Sequence, residues 1–215
     1  MKKSMVPVVA IALLALGSAV ILGTSGNQGV PAAKSSVAWT DVAYDGSATG
    51  GWIDVQPLSC VIKTSNVSDL VISVNAECAL VTDVKIKGTG QVESSTSLAD
   101  IKVRVLVDNG DGIWAVALPG GEDGITFSSR KMTLSGLLWS GAQLLLDLPE
   151  QYIQIWEQTK SAHSFDFLFP NVGVGVHNVK VQIMTDTKAA FEGAEVGATI
   201  GDATLVVEAV RLVND

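Results

Sequence analysis

Leu70-Val71-Ile72-Ser73-Val74-Asn75-Ala76-Glu77-Cys78-Ala79-Leu80 decides the fold class. Leu70, Ile72, Val74, Ala76, Cys78 and Leu80 fall on one parity, and Ser73, Asn75 and Glu77 on the other. Side chains of a strand point alternately to opposite faces. A period of two therefore marks a strand with one face buried and one in water. Just upstream, Leu58, Cys60 and Ile62 alternate with Ser59, Val61 and Lys63, and the turn-like stretch Thr64 to Asp69 lies between the two runs. Two such runs around a short polar turn predict a hairpin.

The pattern repeats along the chain. Ile101, Val103, Val105 and Val107 alternate with Lys102 and Arg104. Asp108-Asn109-Gly110-Asp111-Gly112 then turns the chain, because Asn-Gly and Asp-Gly supply the positive φ a tight turn needs. Ile113 to Leu118 resumes the sheet, and Ile125 to Leu138 reads as one long strand or two short ones. Phe165, Phe167 and Phe169 alternate with Ser164 and Asp166; Val179, Val181 and Ile183 alternate with Lys180 and Gln182; Thr204 to Leu212 closes the domain. One stretch reads differently. Asp147 with Glu150 resembles a capping pair, Pro149 suits a first helical turn, and Tyr152, Ile153, Trp156 and Thr159 recur at three and four residues. That spacing predicts a short helix from about Pro149 to Lys160. The expected architecture is all-β: a single jelly-roll-like β-sandwich with one short helix.

Composition agrees. Hydrophobic residues make up 47% of the 215, enough for a core, and charged residues only 17%. The net charge is −8, with 14 basic against 22 acidic residues and no basic cluster. Nucleic acid needs a Lys/Arg patch, so it is not an expected partner.

The chain begins with Lys2 and Lys3, an apolar run from Met5 to Leu22, and small residues Gly23 to Gly26. Charged start, apolar middle and small-residue exit form a secretory signal peptide over residues 1–26. The run is also just long enough to stay in a bilayer as an N-terminal anchor, the one expected membrane contact. Either way the domain lies outside the cytoplasm, extracellular or at the cell surface. Residues 27–36, rich in Gly, Pro, Ala and Ser, read as a linker, and residues 37–215 as the β-sandwich domain. An extended segment before Val37 can complete a neighbour's sheet by strand addition.

Two resemblances bear on this. Lys2-Lys3-Ser4-Met5-Val6-Pro7-Val8-Val9 is similar to the start of archaeal type IV pilin precursors, with Ser4 standing where that family usually has Gly or Ala. Ser161 to Phe167, Gly175-Val176-His177-Asn178-Val179-Lys180-Val181 and Thr204 to Glu208 resemble stretches of small secreted prokaryotic proteins of unassigned function. That likeness implies a compact extracellular domain.

Candidate chemistry is sparse. The only histidines are His163 and His177, and no Gly-x-Ser-x-Gly elbow accompanies them. No enzyme is expected. Cys60 and Cys78 both fall on apolar parity. An exported chain permits a disulfide between them, which chain entropy values at about 3 kcal/mol; two buried free thiols are the other reading. Asp108, Asn109 and Asp111 offer oxygens to Ca²⁺, and the same residues read as a plain turn. Asn66-Val67-Ser68 is an N-glycosylation sequon at Asn66. Trp39, Trp52, Trp114, Trp139 and Trp156 serve either as packing plugs or as stacking surfaces for sugars. The sequence therefore favours a non-enzymatic structural or assembly protein of the cell surface: a filament, sheath or surface-layer subunit that associates with itself or with other surface proteins. The alternative is a secreted carbohydrate-binding module.

Overall fold

The alternating stretch from Leu70 to Leu80 forms the middle of a strand with six core-facing residues buried in succession. In the computed structural model, which describes residues 34–45, 51–88, 91–110, 112–138 and 152–211, ten strands make two antiparallel sheets. They are β1 (Ser35–Thr40), β2 (Tyr44–Asp45), β3 (Ile53–Thr64), β4 (Ser68–Lys87), β5 (Val92–Asp108), β6 (Trp114–Val116), β7 (Ile125–Leu137), β8 (Tyr152–Val172), β9 (Gly175–Lys188) and β10 (Gly197–Val210). The first sheet runs β1-β10-β4-β8, with β2 also on β10. The second runs β3-β9-β5, with β6 and β7 along the far edge of β5. Without the short β2 and β6, each strand is followed by one in the opposite sheet, except that β5 and β7 are neighbours in the second sheet. That is the double Greek-key wiring of a jelly roll.

Leu70, Ile72 and Val74 of β4 face the core with Leu205 and Val207 of β10 and Phe167 of β8. Ile101, Val103 and Val105 of β5 and Val181 and Ile183 of β9 fill it from the other sheet. Burial of this apolar surface, at roughly 25 cal/mol per Å², is the main force holding the sheets together.

Three expectations need correction. First, β3 and β4 do not form a hairpin. β3 pairs with β9 in one sheet, β4 with β10 and β8 in the other, and residues 65–67 arch across the core. Two strands facing each other across a sandwich show the same period of two as two paired strands. Ser65-Asn66-Val67 lacks the Asn-Gly or Asp-Gly pair that closes a tight hairpin. The turn at Asp108 does carry that pair, and it does form one: Asp108, Val107 and Leu106 lie opposite Trp114, Ala115 and Val116.

Second, residues 152–160 are strand, not helix. They pair with Ala79 to Lys87 of β4 in unbroken register, from Lys160 opposite Ala79 to Tyr152 opposite Lys87. Tyr, Ile, Trp and Thr are strand formers, and β4 offers a free edge that satisfies their backbone groups. The spacing of four between Tyr152 and Trp156 fits either a helix face or one side of a strand. Residues 149–151 lie outside the described residues.

Third, Ser35–Thr40 does not await a neighbour. It pairs with β10 of its own chain from Ser35 opposite Glu208 to Thr40 opposite Ala203, so Ser35 and Ser36 belong to the sheet rather than to a linker. The expected leader lies outside the described residues.

Candidate functional site

The anticipated site residues are spread over the molecule. Cys60 and Cys78 are free, buried thiols on opposite sheets, Cys60 beside Val179 and Cys78 between Ile200 and Ser161. Burial pushes Cys60 up to about 11 against a weaker opposing hydrogen bond from Ser36, and burial with the charge of Glu77 pushes Cys78 up to about 12. Because the folded thiols hold their protons above the ordinary value of 9.0, their contribution to stability is complete below pH 9 and is lost as pH rises through 11 to 12. The urea midpoint is expected to fall over that window, less so in a Cys60→Ala/Cys78→Ala variant. A thiol reagent is expected to label neither residue near neutral pH until urea unfolds the chain. Fast labelling of the native protein would contradict this.

Asp108 is committed to its turn. Its Oδ1 accepts the backbone N–H groups of Gly110 and Gly112, both at 2.9 Å, and Oδ2 accepts from Asn178 Nδ2 at 3.2 Å. Burial raises its pKa, but these hydrogen bonds and His177 outweigh it and hold the carboxyl below its ordinary range. Asn109 Oδ1 faces the Gly173 N–H, and Asp111 lies outside the described residues. Among the described residues no group of three or more His, Cys, Asp or Glu is placed to hold a metal. Asn66 is exposed at the β3–β4 arch, where Ser68 Oγ donates to its carbonyl.

His177 is fully buried. Gly173 O lies 2.9 Å from its Nε2 and can only accept, so Nε2 carries the proton. Thr64 Oγ1 lies 3.0 Å from the same nitrogen, and Nδ1 has no partner among the described residues. The ring ties the end of β3 to the start of β9. His163 is half-buried, 2.7 Å from Ser161 Oγ, with its ring against Phe127.

The outer face of the β3-β9-β5 sheet carries a closed polar network. Arg104 donates to Gln182 Oε1 at 2.7 Å and to Glu122 Oε2 at 2.8 Å. Gln182 and Lys180 both donate to Asp54, at 2.7 and 3.0 Å. Burial raises the Asp54 pKa, but these two hydrogen bonds and the charges of Lys180 and Arg104 bring it below its ordinary range. Arg104 also lies 4.4 Å from the ring centre of Trp52, and Lys180 4.5 Å from that of Trp114. Both tryptophans are thereby given structural work.

The outer face of the β1-β10-β4-β8 sheet differs. Trp39, Thr204, Asn75 and Ser164 form one row across its four strands. Glu77 and Ala162 stand in the next row, and a bulge between Ile200 and Ala203 sets Asp202 beside them. With Asp41 these residues line a broad open trough of about 730 Å³. Asn75 Nδ2 donates to Thr204 Oγ1 at 3.2 Å, which fixes the amide and leaves its oxygen as an acceptor. Glu77 Oε1 meets Lys160 Nζ at 2.5 Å. Trp156 Nε1 donates to Glu195. Trp39, 66% exposed, is the one tryptophan among the described residues with no cation or hydrogen-bond partner.

Beyond the trough, β8 has a free edge. Among the described residues its second side is paired only at Leu168, by reciprocal hydrogen bonds with Leu118. From Tyr152 to Phe165 that edge has no partner strand among the described residues. Tyr152, Ile153, Ile155 and Trp156 on this stretch are 42% to 55% exposed.

No family model and no curated protein matches this chain. Among solved structures it is similar to the chains titled as the structures of infectious bursal disease virus, Gt strain and Gx strain. Both are 13% identical to it with a TM-score of 0.34. The likeness covers 81% of this chain and 33% of the Gt chain, and 80% and 30% for Gx. The chain thus spans about a third of those viral chains.

Sequence reasoning placed Asn75 and Glu77 on the solvent side of their strand and named Trp39 among five tryptophans that could stack on a sugar, without bringing them together. Trp39, Ser164, Asp202 and Thr204 join them only through the strand order.

Proposed function

We propose that this chain is an exported, non-enzymatic assembly protein of the cell surface, and that it associates through the free edge of β8. The observation that carries this reading is the stretch from Tyr152 to Phe165, whose outer edge is unpaired among the described residues and which holds four large apolar side chains in water. An unpaired edge offers a row of backbone donors and acceptors to another strand, and soluble proteins ordinarily blunt such edges with charge, proline or a covering loop. Here Glu157 and Lys160 are the only charges along the stretch, and each is paired, with Arg130 at 3.1 Å and Glu77 at 2.5 Å. Apolar side chains exposed along a bare edge suit a permanent contact, with backbone bonds for affinity and the side chains for fit. The order of charge, apolar run and small residues at the N-terminus supports export.

Full-length chain recovered from the export compartment is expected to form larger species as its concentration rises, seen by sedimentation velocity and negative-stain microscopy. Ile155→Lys puts an unpaired charge on the edge and is expected to keep the protein monomeric with an unchanged far-ultraviolet spectrum. A wild-type protein that stays monomeric at high concentration, or an Ile155→Lys protein that assembles as well as wild type, would sink the reading.

A further inference from the structure

We infer that the trough on the outer face of the β1-β10-β4-β8 sheet binds a neutral glycan, with a pyranose ring stacked on Trp39 and its hydroxyls held by Asn75, Thr204 and the neighbouring carboxylates. The inference stands apart from assembly through the β8 edge, because the trough lies on the sheet face and, although Ala162, His163 and Ser164 of β8 line it, it includes none of the four exposed apolar residues of the edge.

Trp39 is where the chemistry starts. The other described tryptophans use their rings on Arg104 or Lys180, or their N–H on Glu195. Trp39 keeps both ring and N–H free, on a strand pinned to β10. An indole face held in water gains by covering an apolar surface that has polar groups at its rim. The C–H face of a pyranose is such a surface. The groups beside Trp39 match its rim. Asn75 lies two strand spacings away, about 10 Å, and Ser164 three, about 14 Å. They stand in the same row on neighbouring strands, so they are held in place before any ligand arrives. Asn75 Oδ1 and the carboxylates of Asp41 and Asp202 accept hydrogen bonds from vicinal hydroxyls, and Thr204 and Ser164 supply hydroxyls of their own.

Charge narrows the class. Asp41, Glu77 and Asp202 repel acidic sugars, phosphates and sulfates. Among the described residues that line the trough there is no Lys or Arg, and Lys160, the partner of Glu77, is engaged by it. Gly201 brings this pair in close: a Cβ there would come within 3.2 Å of Glu77 Oε1. An apolar ligand would leave the carboxylates dehydrated without partners, which is costly.

Affinity electrophoresis of the full-length chain tests this, with gels cast containing hydroxyethylcellulose, laminarin, galactomannan or dextran. Retardation in at least one of the four gels is expected. Trp39→Ala is expected to weaken binding to that polysaccharide at least about tenfold, the loss of roughly 1.4 kcal/mol. Trp39→Phe should restore part of it, and Asn75→Ala should weaken it separately. Trp39 is exposed on an edge strand, and an unchanged circular dichroism spectrum identifies variants that fold. Binding to a neutral sugar should persist in roughly 1 M NaCl, where the Debye length is about 3 Å. Free migration in all four gels would overturn the proposal, as would retardation that survives both Trp39→Ala and Asn75→Ala. Retardation abolished by salt would overturn it too, because it would mark ion pairing with the carboxylates.

Discussion

Gly124→Ala is expected to lower the stability of the domain by about 3–5 kcal/mol. Gly124 has φ 63° and ψ −166°, a region almost closed to residues with a Cβ, and the conformation alone costs roughly 1–3 kcal/mol. Packing adds to it. A Cβ at this position would lie 2.7 Å from the carbonyl oxygen of Val103 and would overlap the ring of Trp52. Neither neighbour can easily give way. Val103 is fully buried in the middle of β5, and Trp52 is sandwiched against Arg104. Overpacking of this kind costs a further 1–3 kcal/mol or so. For a domain of this size the sum corresponds to a fall in Tm of roughly 10 °C. Gly112→Ala separates the two terms: its φ is 79°, yet nothing lies within 4 Å of the added Cβ. Thermal denaturation of both variants decides the matter. Equal losses would show that the space around Gly124 is irrelevant.

This position also shows why parts of the fold were hidden in the sequence. Nothing in the sequence sets Gly124 against Trp52; only the structure does. Alternation was enough to identify the long strands, because β4, β5 and β9 each bury one parity and wet the other. It was not enough to say which strands pair. Leu58 to Ile62 and Leu70 to Leu80 alternate identically whether they share a sheet or face each other across the core. The same ambiguity upset the reading of residues 152–160. With both faces of that stretch largely in water, no period of two is enforced, and a chance spacing of three and four looked helical. The trough was legible only as the outward parity of Asn75 and Glu77 and as Trp39 among five candidate stacking rings. Its other residues come from strands made adjacent by the jelly-roll order, with Trp39 and Ser164 separated by two further strands.

Phe167→Ala is the second large effect, at about 3–5 kcal/mol, and Phe165→Ala two residues away should cost markedly less, about 1–2 kcal/mol. Sequence alone set Phe165, Phe167 and Phe169 on one parity as equals. In the structure Phe167 is 1% exposed, opposite Ile72 in the core, while Phe165, opposite Val74, is 36% exposed. Their rings meet at 5.2 Å with a tilt of 59°, so Phe165 covers one side of Phe167 without being enclosed itself. Truncating Phe167 removes a ring from close-packed surroundings and leaves a cavity the sheets cannot collapse into; truncating Phe165 mostly widens an opening already wet. Chemical denaturation of the two variants measures the difference, and equal costs would mean that the core does not end where the structure puts it. The boundary matters for assembly. Phe167 and Val172 anchor the C-terminal half of β8 in the core, while Tyr152 to Lys160 holds by its ladder with β4 and by surface pairs, Arg130–Glu157, Lys160–Glu77 and Trp156–Glu195. Backbone hydrogen bonds with few buried contacts beside them open at low free energy. Amides of Tyr152–Lys160 should therefore exchange with solvent faster than those around Phe167 in the monomer, and should slow when the edge is covered by another subunit. Rapid exchange that persists in the assembled protein would place the contact elsewhere than on β8.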